Sequence, residues 1–324
     1  MALVLTESDV RHLLDMPMAI DAVEASLRDQ ASGDVVVQPR HRIVLPDRVL
    51  LNYMFAADRK AEFMGGKLYS VARGSAQFVV LLYRTDTGEL AAIIEADYLG
   101  QMRTGAASGV ATKFMARPDA HFAAIIGTGL QARTQLAAVA AVCKLDRILA
   151  FGRDPQRRTD FCREMTERLR LPVAAANSAE DCVRGADIII TATRSSKPVL
   201  FGAWLAPGVH VNAMGSNVAT KRELDDDAIA RAGIIAVDFT EQAKTESGDL
   251  VQAFASDPQR WHRIRELSEI VSGKIPGRNS REEITLFESQ GVASWDIAVA
   301  ARVLALAEKR GAGVQIEIGK HSGG

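Results

Sequence analysis

Residues 122–135, FAAIIGTGLQARTQ, decide how this chain is read. Phe122, Ala123, Ala124, Ile125 and Ile126 form an apolar run that predicts a short, fully buried strand. Gly127, Gly129 and Ala132 follow as G-x-G-x-x-A, and Leu130 to Val142 is rich in Ala, Leu and Gln, as an opening helix should be. This is the strand–turn–helix context that a dinucleotide fingerprint requires. Gly127 suits the tight turn, Gly129 lets backbone approach a pyrophosphate, and Ala132 lets the helix pack close on the strand. Thr128, Leu130 and Gln131 complete the turn at a helix N-terminus, where free N–H groups favour an anion. A glycine turn before any buried helix looks similar, so the segments downstream must carry the weight.

They do so by alternation. RILAF (147–151), VAAA (173–176), DIIIT (187–191), HVNAM (210–214) and IIAVD (234–238) are apolar and separated by helical segments. With the fingerprint strand they make six strands of a doubly wound parallel sheet, whose ligands bind outside the strands' carboxyl ends. Beyond them, IRELSEIVSG predicts a helix, EITLF a strand, and residues 292–310 a long terminal helix. Ahead of the fingerprint, Thr6-Glu7-Ser8-Asp9 reads as a helix start, and a second helix runs through Ile20, Val23 and Leu27 to Gly33. From Val35 the pattern becomes strand-like, with a hairpin turn at Asp86-Thr87-Gly88-Glu89. A small-residue helix over 101–116 then leads into Pro118. The fold class is therefore α/β: a Rossmann doubly wound sheet over 118–291, preceded by an α+β domain.

Composition narrows the function. With 324 residues, 48% apolar and 24% charged, the chain can bury the cores of two domains. Lys plus Arg number 39 against 40 acidic residues, a net charge of −1, so no basic field attracts nucleic acid. MALVLTESDV lacks the charged start of a signal peptide, and no apolar run reaches the ~20 residues of a membrane span. Cys143, Cys162 and Cys182 are widely spaced without a C-x-x-C, which implies buried thiols in a reducing cytoplasm and neither disulfide nor metal.

PRHRIVL (39–45), GGKLYS (65–70), the run Arg103-Thr104-Gly105-Ala106-Ala107 and IIGTGLQARTQ occur in this order. NAMGSN, RELD, VDFTEQAKTESGD, GRNSREEITLFESQG and WDIAVAA follow them. Together they resemble the ornithine cyclodeaminase/μ-crystallin superfamily, which also holds archaeal-type alanine dehydrogenases and ketimine reductases. The resemblance covers nearly the whole chain. It implies a substrate-binding and dimerisation domain made of residues 1–117 with 292–324, a homodimer, and a nicotinamide cofactor.

The resemblance also places residues. It gives Arg42 the substrate carboxylate, a task that suits a planar guanidinium, and leaves His41 structural. Lys67 follows two glycines and precedes an apolar strand, so burial would lower its pKa into a useful acid/base range. Family likeness makes it the substrate-binding, proton-transferring lysine. Arg103 is implied between substrate and cofactor, with Thr104 near the phosphates. Thr193, Met214 and Gly215 fall just after two strands, at the carboxyl edge where nicotinamide should lie, and Ser294 is a further candidate cofactor contact. Asp296, on the last helix, is expected to reach substrate or cofactor, and Trp295 beside it replaces a polar residue often found there.

Two positions bear on the chemistry. The second strand ends Phe151-Gly152-Arg153, where an NAD enzyme usually presents an acid to the ribose 2′-OH. Arg153 there favours NADP(H), with NAD(H) possible. Asn217 stands where cyclodeaminases carry an aspartate, and asparagine cannot titrate. Hydride transfer at the C–N bond of a small α-amino or cyclic imino acid is the reaction expected. The alternatives are a cyclodeaminase with catalytic NAD, a hydroxyproline dehydratase, and a μ-crystallin-like ligand carrier. Asp238 and Asp249 read as structural.

Overall fold

Thr6 ends the first strand and starts the first helix in one step. Its Oγ1 accepts from Asp9 N at 3.3 Å, while the Asp9 carboxylate accepts from Thr6 N at 2.9 Å, a reciprocal capping box. The computed structural model describes residues 1–47 and 49–318, and they divide into two compact units. One is Met1–Arg103 with the chain from Val292 onward, and the other is Thr104–Gly291.

The first unit opens with β1 (Ala2–Leu5), α1 (Glu7–Leu13) and α2 (Met16–Ala31), followed by β2 (Val35–Val44), β3 (Leu50–Asp58) and β4 (Phe63–Ala72). The hairpin expected around residues 86–89 is formed by β5 (Ser75–Arg84) and β6 (Leu90–Glu95), which pair antiparallel. Next comes α3 (Asp97–Met115), which starts four residues before the expected position. The reason is a remote cap: Glu7, ninety residues earlier, accepts from Asp97 N at 2.5 Å and Tyr98 N at 3.1 Å. A side chain supplied from so far away leaves no local signal.

In the second unit the fingerprint strand β7 (Phe122–Ile126) leads into α4 (Leu130–Val142), then β8 (Arg147–Phe151), α5 (Pro155–Leu169), β9 (Val173–Ala175), α6 (Ala179–Val183) and β10 (Ile188–Thr191). After β11 (His210–Ala213) come α7 (Asp226–Arg231), β12 (Ala232–Val237), α8 (Thr240–Glu246) and α9 (Gly248–Ala253). The unit ends with β13 (Ile264–Glu266), α10 (Leu267–Val271) and β14 (Ile284–Glu288). The chain then returns to the first unit as α11 (Ala293–Arg310) and β15 (Val314–Ile316).

Among the described residues the second unit's strands lie in the order β13-β12-β14-β11-β10-β7-β8-β9, all parallel. Six of these match the alternation of the sequence. Two more strands join them. The expected strand EITLF is β14 and inserts between β11 and β12, and the segment expected as a helix at IRELSEIVSG holds that helix as α10 but begins as β13, pairing with β12. Both are short runs whose partners lie far off in sequence. Because β7 leads outward to β8 and β9 while β10 lies on its other side, the order reverses at β7/β10. Crevices at such reversals hold the ligand in doubly wound sheets.

The first unit's sheet runs β15-β1-β6-β5-β4-β3-β2. Neither end strand of the chain, β1 or β15, is marked by alternation in the sequence. Asn52, Met54, Val80 and Leu82 are buried on the face that α11 packs against. The opposite face is apolar as well but uncovered among the described residues: Val36 is 60% exposed, Ile43 52%, and Leu51 and Phe55 38% each. Among the described residues, no helix is long and apolar enough to cross a membrane.

Candidate active site

Lys67 sits on β4 directly opposite Met54 of β3, on the buried face of the first unit's sheet. Asp296 occupies the first turn of α11, where an acid complements the helix dipole. Its Oδ1 accepts from Lys67 Nζ at 2.9 Å and from Arg103 Nε at 3.0 Å. All three side chains are almost wholly buried. The structure thus brings Lys67, Arg103 and Asp296 together from β4, α3 and α11. Burial and the neighbouring Arg103 charge push Lys67 down to about 7, against the opposing pull of Asp296, with Arg40 adding to the drop. Lysine at that value exchanges protons near neutral pH.

The cluster carries more positive than negative charge. Arg103 Nη1 and Asp296 Oδ2 are buried and make no hydrogen bond with any described residue, and the same holds for Ser294 Oγ and Trp295 Nε1. An unsatisfied buried polar group costs about 1–3 kcal/mol. Arg103 Nη1 and Asp296 Oδ2, on two side chains already in contact, mark a place that a polar ligand completes. Ser294, expected at the cofactor, is buried beside Trp295 in the first turn of α11.

Arg42 is exposed on the edge strand β2, opposite Asn52. Arg40 on the same strand adds its charge to that of Arg103 at Lys67, and its Nη2 lies 3.9 Å from Met54 Sδ. The residue reading passed over Arg40 because β2 shifts register between Gln38 and His41, so that Pro39 and Arg40 face the single residue Met54. Such a bulge inserts one residue and turns the following side chains to the other face. Pro39, which cannot donate to a ladder, was the signal available in the sequence. His41 lies on the outer face, stacked on Tyr53 with centroids 5.4 Å apart.

The second unit offers the features a dinucleotide needs. Gly127 adopts φ +118°, and a Cβ there would lie 2.4 Å from Ala192 O, so only glycine fits against the end of β10. Gly129 is the N-cap of α4, no side chain caps that helix, and a Cβ on Gly129 would meet open space. Leu130 and Gln131 are exposed beside it and Thr128 is half-buried. An uncapped thirteen-residue helix whose N-terminus opens on free space fits a pyrophosphate. Gln135 Nε2 donates to Thr104 O at 3.0 Å, and a Cβ on Gly105 would lie 2.5 Å from Thr134 O, so the small residues after Thr104 serve close packing on α4.

At the end of β8, Arg153 is exposed, and the Asp154 carboxylate accepts from Arg157 N at 3.0 Å as the N-cap of α5. Arg158 donates from Nη1 to Gly152 O at 3.0 Å. Thr193, Met214 and Gly215 follow β10 and β11 at the same carboxyl edge, half-buried. Asn217 is exposed in the loop after β11. Asp238 is buried and accepts from Ser289 Oγ and Gln290 N, both at 3.0 Å. Asp249 is buried and accepts from Glu223 N at 2.8 Å and Leu224 N at 2.7 Å. Both hold backbone in place.

The sequence model of the ornithine cyclodeaminase/mu-crystallin family matches residues 1–310. The chain belongs to that family. Within it, Δ1-pyrroline-2-carboxylate reductase of Bacillus cereus is 33% identical over 97% of this chain and 99% of its own length. Among solved structures, Thermococcus litoralis Δ1-pyrroline-2-carboxylate reductase, in complex with NADH and L-proline, is 33% identical with a TM-score of 0.92. That match covers 97% of this chain and all of the other. An archaeal alanine dehydrogenase dimer with bound NAD is 30% identical with a TM-score of 0.91, covering 98% of this chain and 99% of the other. The family thus spans reductases and dehydrogenases of small amino and imino acids on one fold.

Proposed function

We infer that this protein is a nicotinamide-dependent oxidoreductase of the C–N bond of a small α-amino or cyclic imino acid, working as a ketimine reductase of the Δ1-pyrroline-2-carboxylate type. The observation that carries this reading is the buried Lys67–Asp296–Arg103 cluster, with Arg40 beside it. Its excess positive charge suits a substrate carboxylate, and Arg103 has a guanidinium nitrogen available to receive one. Lys67, brought down to about 7, supplies the proton. When bound, the reduced cofactor supplies the hydride. One hydride added at carbon and one proton at nitrogen convert the C=N bond to the amine. The chain's own residues orient the acid, stabilise its charge and move that proton. Asn217 supports this direction over ring closure with loss of ammonia, since no titrating group stands at that position.

NADP(H) is the favoured cofactor. Arg153 is exposed at the end of β8, Arg158 is anchored beside it, and the acid that would otherwise contact a ribose 2′-OH is engaged as a helix cap. A homodimer is the favoured assembly. The uncovered face bearing Val36, Ile43, Leu51 and Phe55, with β2 as an open edge, suits a second copy of the chain.

The decisive experiment offers Δ1-pyrroline-2-carboxylate with NADPH or NADH and follows loss of the reduced nicotinamide absorbance. Consumption matched by proline formation is expected. Absence of consumption, with proline appearing from ornithine, would replace the reductase by a cyclodeaminase.

A further inference from the structure

Glu223 lies in the segment between β11 and α7, is fully buried, and accepts three hydrogen bonds from the carboxyl edge of the parallel sheet. One oxygen accepts from Thr193 N at 2.6 Å. The other accepts from Thr191 Oγ1 and Gly215 N, both at 2.8 Å. The loops leaving β10 and β11 are therefore tied to each other by a single carboxylate. They are also closely packed: a Cβ on Gly215 would lie 2.3 Å from Thr193 O and 2.5 Å from the Glu223 carboxyl.

The carboxylate is itself held. Asp249, at the start of α9, accepts from Glu223 N and Leu224 N. Ser247, which caps α9, donates from Oγ to Glu288 Oε2 at 2.9 Å at the end of β14. A chain of contacts thus runs from β14 through α9 to the ends of β10 and β11. Three buried acids gathered this closely are costly, and such an arrangement persists where it fixes something. Burial pushes Glu223 up to about 7 against its three donors.

We propose that Glu223 is a positioning residue for the nicotinamide end of the cofactor, because its one buried carboxylate ties Thr193, in the loop after β10, to Gly215, in the loop after β11. This rests on the reading that a dinucleotide spans the carboxyl edge of the sheet. With the pyrophosphate at the turn after β7 and the 2′ substituent at the end of β8, the β10 and β11 side is left for the nicotinamide. Glu223 touches neither substrate nor cofactor in this scheme. It acts through the backbone of Thr193 and Gly215.

The test uses the full chain and NADPH titrated by nicotinamide fluorescence. In Glu223→Gln an amide N–H must face a backbone or hydroxyl donor, so at least one bond is lost. The expected result is a cofactor Kd raised by about tenfold, equivalent to about 1.4 kcal/mol. It comes with a lower kcat at saturating cofactor and a KM for the imino acid within about twofold of wild type. Thr191→Val removes one donor without changing side-chain shape and should raise Kd by roughly threefold, about 0.7 kcal/mol. Ser247→Ala loosens the same acid cluster away from the loops, and should lower Tm while leaving cofactor Kd unchanged. If Glu223→Gln does not fold, Thr191→Val decides. Wild-type affinity in Glu223→Gln and Thr191→Val overturns the proposal, as does a Ser247→Ala effect on Kd equal to theirs. Failure of the wild type to bind NADPH or NADH would instead overturn the reading of the cofactor site.

Discussion

Lys67 and Asp296 lie 229 positions apart in the chain and meet at 2.9 Å, with the same aspartate oxygen also bound to Arg103. One buried carboxylate thus serves two buried cations. Asp296 keeps Lys67 from losing its proton altogether under the pressure of burial and of the Arg103 and Arg40 charges.

The pH dependence follows from that balance. In the proposed reaction the lysine gives its proton as an ammonium, which is present below about 7 and lost as pH rises through it. Reductive kcat/KM should therefore be high on the acid side and fall above neutrality, while amine oxidation should rise. Asp296→Asn removes the one group that raises Lys67, so the falling limb should move to lower pH by about one unit or more. A pH–rate profile unchanged in Asp296→Asn would show that the limb belongs to another group.

Arg40, half-buried opposite Met54 and felt by Lys67, should matter more than Arg42, which is exposed. Arg40→Gln should lower kcat/KM by roughly 30-fold, about 2 kcal/mol for a charged hydrogen bond. Arg42→Gln should change it by less than about threefold. Steady-state kinetics on both variants checks this, and the reverse ranking would return the carboxylate to Arg42.

Cofactor choice should be separable from catalysis. Arg153→Ser removes a charge from the end of β8 without touching the Lys67 cluster. KM for NADPH should rise by roughly 10- to 100-fold, the worth of a charge-assisted phosphate contact, with NADH little affected. An equal effect on both cofactors would place Arg153 outside the 2′-phosphate site.

Charging the open apolar face tests the proposed homodimer. Leu51 is 38% exposed on the outer side of β3, paired with Ile43 on β2. Leu51→Glu would bury a carboxylate twice in a two-fold interface, at a cost of several kcal/mol. Light scattering after size exclusion should show monomer for the variant and dimer for the wild type. A Leu51→Glu dimer would move the interface elsewhere.

Much of this molecule was legible in residue order. The turn from β7 into α4 follows from local geometry, since Gly127 must take a positive φ and the apolar run before it has nowhere to go but a buried strand. The alternation beyond it, and Lys67 behind two glycines, are equally local. What escaped was non-local. The start of α3 depends on a carboxylate ninety residues away, and β14 finds its place only between strands that precede it.

Sequence by itself determined the class of fold, because hydrophobic period and turn chemistry act over a few residues. It also determined the kinds of side chain available for the reaction. Tertiary structure decided which of them lie together. A one-residue bulge opposite Met54 exchanged the faces of β2 and set Arg40 beside Lys67, and α11 brought Asp296 back to a strand more than two hundred residues earlier. Register and helix docking are settled by burial over the whole chain, and no local stretch of sequence encodes them.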